Sequence, residues 1–452
     1  MGDQLPPGPR LPSLLQAAMM VQGPPFLERC HRRYGDRFTL RLGRFGTYVY
    51  LADPADIKEV FHGDDAVFHA GEANAPFLGR ILGRSSVLVT DEDVHLRQRR
   101  RLTGPFHGES VARLVPAMAA IAGDDVERWP VGRPFPALTR TRAVTLEIIL
   151  QTVLGVTGAA RLAAMRAALL ELVDINLWMM AQFVLPRLST VWPWRRFWAN
   201  KERADRLIYD EIARTRADPH LEARPDVMAM LVRHCEPDGT AIPDVELRDQ
   251  LVTLLLAGHE TTATALAWTL ERLVRHPGVL QRAAAAARGG DAGYLDAVVA
   301  ESLRSRPVVP DVSRLLVRDY RLGEHVLPAG TYVDPGIALV HRSRSRYSEP
   351  ERFDPDRFVG SRPDPGIWLP FGGGNRRCLG AAFAATEMRV VLGEILSRVD
   401  LAPTTAAGEK PRVRHVTLAP SRGATVTVRS RVQRAGRPPA PVTGAEPSPT
   451  GP

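Results

Sequence analysis

Between Leu251 and Leu270 the chain is apolar on nearly every side, and Glu246 and Glu271 flank the run. At 3.6 residues per turn such a segment has no polar face to offer water, so it must be a helix wrapped by the rest of the fold. A chain of 452 residues with 44% hydrophobic content has the apolar mass to wrap it. Burial then makes the polar centre, Ala257-Gly258-His259-Glu260-Thr261-Thr262, expensive unless it does something. Gly258 removes a side chain where something must approach, and the Thr261 hydroxyl can divert the helix's own hydrogen bonds and open a local groove. A back-bonded threonine pair beside an exposed glutamate would leave the same letters.

A second segment presents chemistry openly. Phe371-Gly372-Gly373-Gly374-Asn375-Arg376-Arg377-Cys378-Leu379-Gly380 is a glycine-rich loop ahead of a helix-forming run, Ala381 to Leu396. The glycines let the backbone curl close to a flat ligand, with Gly380 keeping the far side of the cysteine open. Cys378 sits beside the free N–H groups of the following helix, which favour a thiolate able to bind iron. Taken alone, one cysteine in such a turn is equally a buried structural thiol. A third segment, Glu301-Ser302-Leu303-Arg304, puts an acid and an arginine on one helical face. They form a bidentate pair if buried and an ordinary surface pair otherwise.

Together the three segments resemble the cytochrome P-450 family. Phe371, Gly374, Arg376, Cys378 and Gly380 match its haem-binding loop, Ala257 to Thr262 its oxygen-binding helix, and Glu301 and Arg304 its Glu-x-x-Arg pair, in the family's order. The resemblance implies a single domain over residues 1–432, mainly α with a small β-rich lobe and haem between the two. The cofactor is haem b with an axial thiolate from Cys378. His95, Arg99, Arg314 and Arg376 are implied as partners of the haem propionates, although His95 could bond only locally. Phe371, Gly372, Gly380, Ala257 and Gly258 are implied to line the cofactor. Thr261 and Glu260 are implied as the catalytic pair, with Thr261 hydrogen-bonding dioxygen and Glu260 relaying protons from solvent. Arg352, in Pro350-Glu351-Arg352-Phe353, is assigned to a structural triad with Glu301 and Arg304. Departures from the family pattern are small: Ser343-Arg344 follows His341-Arg342 where Asp-Pro is usual, and Ser305 replaces a leucine.

The implied activity is insertion of one oxygen atom from O2 into an apolar small molecule, by hydroxylation or epoxidation. Electrons are expected from NAD(P)H through a reductase and an acidic ferredoxin. Expected pocket walls are Pro76-Phe77-Leu78 with Leu82, Asn176 to Met180 with Phe183, Leu254, Val309 to Val312 and Val416 to Leu418, nearly all apolar. A terpenoid or other specialised metabolite fits best, with fatty acids, steroids and polyketides open. The rival readings are a thiolate-haem isomerase, a peroxide-driven peroxygenase and a haem-binding sensor; the acid-threonine pair counts against the first two.

Composition removes other classes. A net charge of +9 comes almost wholly from arginine, with lysine only at positions 58, 201 and 410, and no nucleic-acid-binding motif accompanies it. The basic stretch His95 to Arg101 reads as a helix that either steers an acidic ferredoxin or is a solvated face. Three cysteines make a disulfide framework improbable and suit a reducing, cytoplasmic setting. The run Leu11 to Val21 is too short and broken for a membrane anchor, and a monomer is expected. Beyond residue 432 the chain is rich in proline, with few large apolar side chains, and reads as a disordered tail.

Overall fold

The structure, a computed structural model, describes residues 5–20, 23–173, 191–192, 194–414 and 417–432. The expected tail and the wall segment Asn176 to Phe183 lie outside the described residues, as does Val416. The apolar run forms the middle of a 32-residue helix, Asp244–Arg275, the spine of the fold. Leu251, Val252, Leu255, Ala263, Leu266 and Leu270 on it are buried. Its main partner is the helix Ala137–Ile148, and it also touches Ala292–Ser305 and the cysteine helix Ala381–Arg398. The cysteine helix, with Phe383, Val391 and Leu392 buried on it, packs most extensively on Gly108–Val126. A tight C-terminal stop ends the helix Pro277–Gly289, where Gly290 takes the left-handed conformation at φ 77°.

A smaller lobe is built on a five-stranded sheet. Its strands are β1 (Arg37–Arg41), β2 (Thr47–Leu51), β3 (Phe68–His69), β4 (Arg314–Leu316) and β5 (Tyr332–Pro335), in the order β1-β2-β5-β4-β3. The hairpin β1–β2 is antiparallel, whereas β2 and β5 run parallel with Tyr48 beside Tyr332, their rings stacked 4.6 Å apart. β4 pairs antiparallel to β5, with Arg314 opposite Val333. The sheet therefore sews a segment from the middle of the chain into the N-terminal lobe, which is how Arg314 reaches the interface between lobes. Val49, Leu51, Ile57, Val60, Phe61, Leu316 and Val333 form the small core beneath it. Among the described residues no helix is long and apolar enough to cross a membrane, and Cys30, Cys235 and Cys378 are all free.

Candidate functional site

The cysteine loop is held by its backbone: the Cys378 N–H donates to the Phe371 carbonyl at 2.8 Å, and the Arg377 N–H to Gly374 at 3.1 Å. Gly372 and Gly374 take φ values of 65° and 61°, which other residues adopt at a cost. A Cβ on Gly374 would lie 1.6 Å from the Phe61 carbonyl oxygen, and one on Gly373 would lie 2.4 Å from the Phe61 ring. Two of the glycines thus admit the end of the helix Pro54–His62, not a flat ligand as the sequence suggests. At Gly380, by contrast, a Cβ would meet nothing within 4 Å.

Cys378 is exposed to solvent yet surrounded by protein on most sides. Burial pushes its thiol above the ordinary range, against the Gly380 N–H, Arg377 and Arg99, which pull the other way. The helix terminus therefore does not by itself make a thiolate; coordination to a metal cation would.

On the central helix, Leu254, Ala257, Gly258 and Thr261 recur at the spacing of a single face and are only partly covered or exposed. Leu255, His259, Glu260 and Thr262 around them are buried. Thr261 Oγ1 donates to the Ala257 carbonyl at 2.6 Å, the diverted bonding that the sequence implies. A Cβ on Gly258 would come 3.1 Å from Ile149 Cδ1, in the π-helical turn Ile149–Val153. The missing side chain thus makes room for packing behind the helix. Glu260 is not exposed: its carboxylate lies 2.9 Å from Arg142 Nε and 3.2 Å from Arg414 Nε. His259, fully buried and 2.9 Å from Thr145 Oγ1, is pushed down to about 3 by burial and is neutral.

Cations gather on the cysteine side. His95 and Arg99 lie on the helix Glu92–Thr103. His95 is buried between the Asn375 carbonyl, 3.2 Å from Nε2, and Arg376, 2.8 Å from Nδ1. Burial, and next Arg376, lower its pKa, so the neutral ring donates from Nε2 and accepts at Nδ1. Arg376 donates to Thr90 O at 2.8 Å and to Asp91 Oδ1 at 2.5 Å, leaving its buried Nε without an acceptor. Arg314 is buried with its guanidinium 3.0 Å from the Ser313 carbonyl and 5.7 Å from the Phe61 ring centroid, and no carboxylate lies within ion-pair distance among the described residues. Burial pulls its pKa down to about 10. Arg99 is half-buried near Cys378, and burial lowers its pKa as well.

The structural triad requires a correction. Glu301 and Arg304 are fully buried and bidentate, at 2.6 and 2.8 Å, with Arg304 also capping the carbonyls of His341 and Pro350. Arg352, however, points into solvent, 63% exposed, and contributes only its backbone carbonyl to Arg304 at 3.3 Å. The side chain beside Glu301 is Arg357, its Nε 3.7 Å away. Pro-Glu-Arg-Phe and Pro-Asp-Arg-Phe follow one another in the chain, and the second, whose turn begins at Pro355, is the one aimed inward.

These residues fit a haem. Among the described residues no group of three or more His, Cys, Asp or Glu could hold a metal ion, so a metal at Cys378 must bring its remaining ligands with it. The buried Arg314 and the orphaned Nε of Arg376 call for anionic oxygen, as propionates supply. The partly open face of the central helix offers an apolar wall.

Known proteins bear this out. The family model described as Cytochrome P450 matches residues 4–427. Cytochrome P450 135B1 of Mycobacterium tuberculosis is 51% identical over 433 residues, 94% of this chain and 92% of that protein. Cytochrome P450 135A1 of the same species is 40% identical over 423 residues, 93% and 94% of the two chains. The solved structure of retinoic-acid-bound cyanobacterial CYP120A1 superposes with a TM-score of 0.76 at 22% identity, covering 95% of this chain and 99% of its own, a likeness of fold. With a match over nearly the whole length and a relative at half identity, the chain belongs to the cytochrome P450 family, monooxygenases whose haem is held by an axial cysteine thiolate.

Proposed function

We propose that the protein inserts one oxygen atom into an apolar small molecule, a terpenoid or related specialised metabolite, in the cytoplasm, as a monomer supplied with electrons from NAD(P)H by a reductase and an acidic ferredoxin. The observation that carries the substrate class is the stripe Leu254, Ala257, Gly258 and Thr261, a face of the central helix's middle that is not buried. Phe77, Leu78, Val309 and Val312 are likewise half-buried apolar side chains, and a wall of such residues selects by shape and apolar area.

Bound haem with a thiolate ligand supplies the activation of dioxygen. Cys378 would be the ligand, and Arg99, Arg314 and Arg376 would hold the propionates, with His95 fixing Arg376 through its Nδ1. Phe371, Gly372, Gly380, Ala257 and Gly258 would border the cofactor. Thr261 would exchange its bond to Ala257 for one to the reacting oxygen, placing a hydroxyl proton at the open face of the helix. Glu260 would supply that proton only after loosening from Arg142 or Arg414, since both hold its carboxylate. Glu301 and Arg304 hold the loop after Pro350 against the helix Ala292–Ser305 and take no part in the chemistry.

The test is stoichiometric: purified protein with ferredoxin, reductase, NADPH and a terpenoid panel should consume one O2 and one NADPH per hydroxylated or epoxidised product. Turnover with peroxide alone, or tight binding without product, would replace this reading with a peroxygenase or a sensor.

A further inference from the structure

Asp91 stands at a junction that the haem-binding residues do not explain. It precedes the helix Glu92–Thr103, and its side chain is only 11% exposed. Oδ1 accepts the Gly71 N–H at 2.8 Å and Oδ2 the Glu72 N–H at 2.8 Å, so the carboxylate takes the N–H groups of the second and third residues of the neighbouring helix Ala70–Leu82. The same Oδ1 receives Arg376 Nη2 at 2.5 Å. Fit at this junction is close: a Cβ on Gly71 would lie 2.6 Å from Asp91 Oδ2 and 2.6 Å from the Thr90 carbonyl oxygen. His69, 3.8 Å from Oδ2, is too far to hydrogen-bond.

Asp91 therefore joins three segments: the helix bearing Phe77 and Leu78, the basic helix bearing His95 and Arg99, and the loop bearing Cys378. It is also the one carboxylate paired with Arg376 among the described residues. We propose that Asp91 is a positioning residue that offsets the charge of Arg376 and so sets the reduction potential of the haem, while anchoring the helix Ala70–Leu82 to the cysteine loop. The inference rests on the haem-thiolate reading above. The direction follows from electrostatics: an uncompensated cation near the iron favours the reduced, more negative state, so deleting the Asp91 charge raises the potential. In the reverse sense, a partner that held Arg376 more tightly would lower it.

The experiment is a spectroscopic redox titration of purified holoenzyme, wild type beside Asp91→Asn, Asp91→Ser and Asp91→Glu. The wild-type reduced carbonyl spectrum is recorded first; if it lacks the red-shifted Soret band of thiolate ligation, the haem-thiolate reading fails whatever Asp91 does. Given that band, Asp91→Asn and Asp91→Ser should shift the one-electron reduction equilibrium about tenfold towards the reduced form, about 59 mV. Asp91→Glu, which keeps the charge, should stay within about twofold of wild type. Serine can still accept from an N–H at the helix start, so its shift would report charge and not the cap. An unchanged potential in both neutral variants, an equal shift in Asp91→Glu, or loss of haem from both neutral variants would each overturn the proposal.

Discussion

Which arginine completes the buried acid–arginine cluster is decided by comparing Arg357→Ala with Arg352→Ala. Arg357 is 15% exposed, with Nε 3.7 Å from Glu301, Nη1 3.3 Å from Ser348 Oγ and Nη2 3.1 Å from the Glu349 carbonyl. Removing it forfeits two hydrogen bonds, each worth about 1 kcal/mol net. Glu301 keeps Arg304 and the Asp354 N–H at 2.9 Å, so the acid is not left bare, and the large penalty for stranding a buried charge does not apply. The expected loss is about 2 to 3 kcal/mol. Arg352, 63% exposed, has among the described residues only Glu349 at 3.4 Å and Asp354 at 3.8 Å as side-chain partners, both long for a hydrogen-bonded pair. Its truncation should cost less than about 0.5 kcal/mol. Urea unfolding of holoenzyme, followed by far-ultraviolet circular dichroism and by loss of the Soret band, reads both. If Arg352→Ala lowered the midpoint as much as Arg357→Ala, the placement of Arg357 beside Glu301 would be wrong.

Thr261→Ala should leave haem binding intact and raise NADPH consumption several-fold over product formed, seen by measuring both with oxygen uptake; full coupling in that variant would remove the hydroxyl from the mechanism. Cys378→Ala should abolish the red-shifted carbonyl Soret band, and a retained band would place the ligand elsewhere. Gly374→Ala sets a Cβ 1.6 Å from Phe61 O at a left-handed φ and should cost more than about 3 kcal/mol or prevent haem incorporation, measured by haem content per chain. Acid should destabilise the fold through His341, which burial and then Arg304 push down to about 3 and which accepts the Leu369 N–H at 2.9 Å. Because its folded pKa lies below the unfolded 6.5, this stabilisation is complete above pH 6.5 and is lost as pH falls towards 3. The slope reaches about 1.4 kcal/mol per pH unit, and His341→Gln should flatten it in urea midpoints measured from pH 7 to 4.

Much of this was legible in the sequence because it is encoded locally. A helix apolar on nearly every side has one place to go, and the cysteine helix follows from short-range pattern. What could not be read is set by partners far away in the chain. Gly258 and Gly374 are legible as positions needing space, but Ile149 and Phe61, which take that space, arrive from 109 and 313 residues away. Glu260 gives no sign in its own segment that Arg142 and Arg414 will enclose it. Arg352 and Arg357 sit in nearly identical tetrapeptides, and only the turn geometry between them selects the inward one. Asp91 carries no motif; an aspartate before a helix reads as a cap for that helix, whereas its carboxylate serves the neighbouring one.

The charge balance at the site ties these observations together. Among the basic side chains on the cysteine side, His95 is held neutral by burial and by Arg376, and Arg376 is matched by Asp91. Arg314 is buried and Arg99 half-buried, and neither has a carboxylate within ion-pair distance among the described residues. A buried cation without an anion is costly enough that folds seldom keep one without use, and here burial depresses the pKa of both. Arg314 and Arg99 can therefore meet the propionates with their full charge, whereas Arg376 reaches them through its free Nε with its own charge already matched by Asp91. Were Asp91 neutral, the Arg376 charge would be unmatched as well. The surplus would then be felt at the iron, which is why a carboxylate outside every motif is the group whose removal should move the potential.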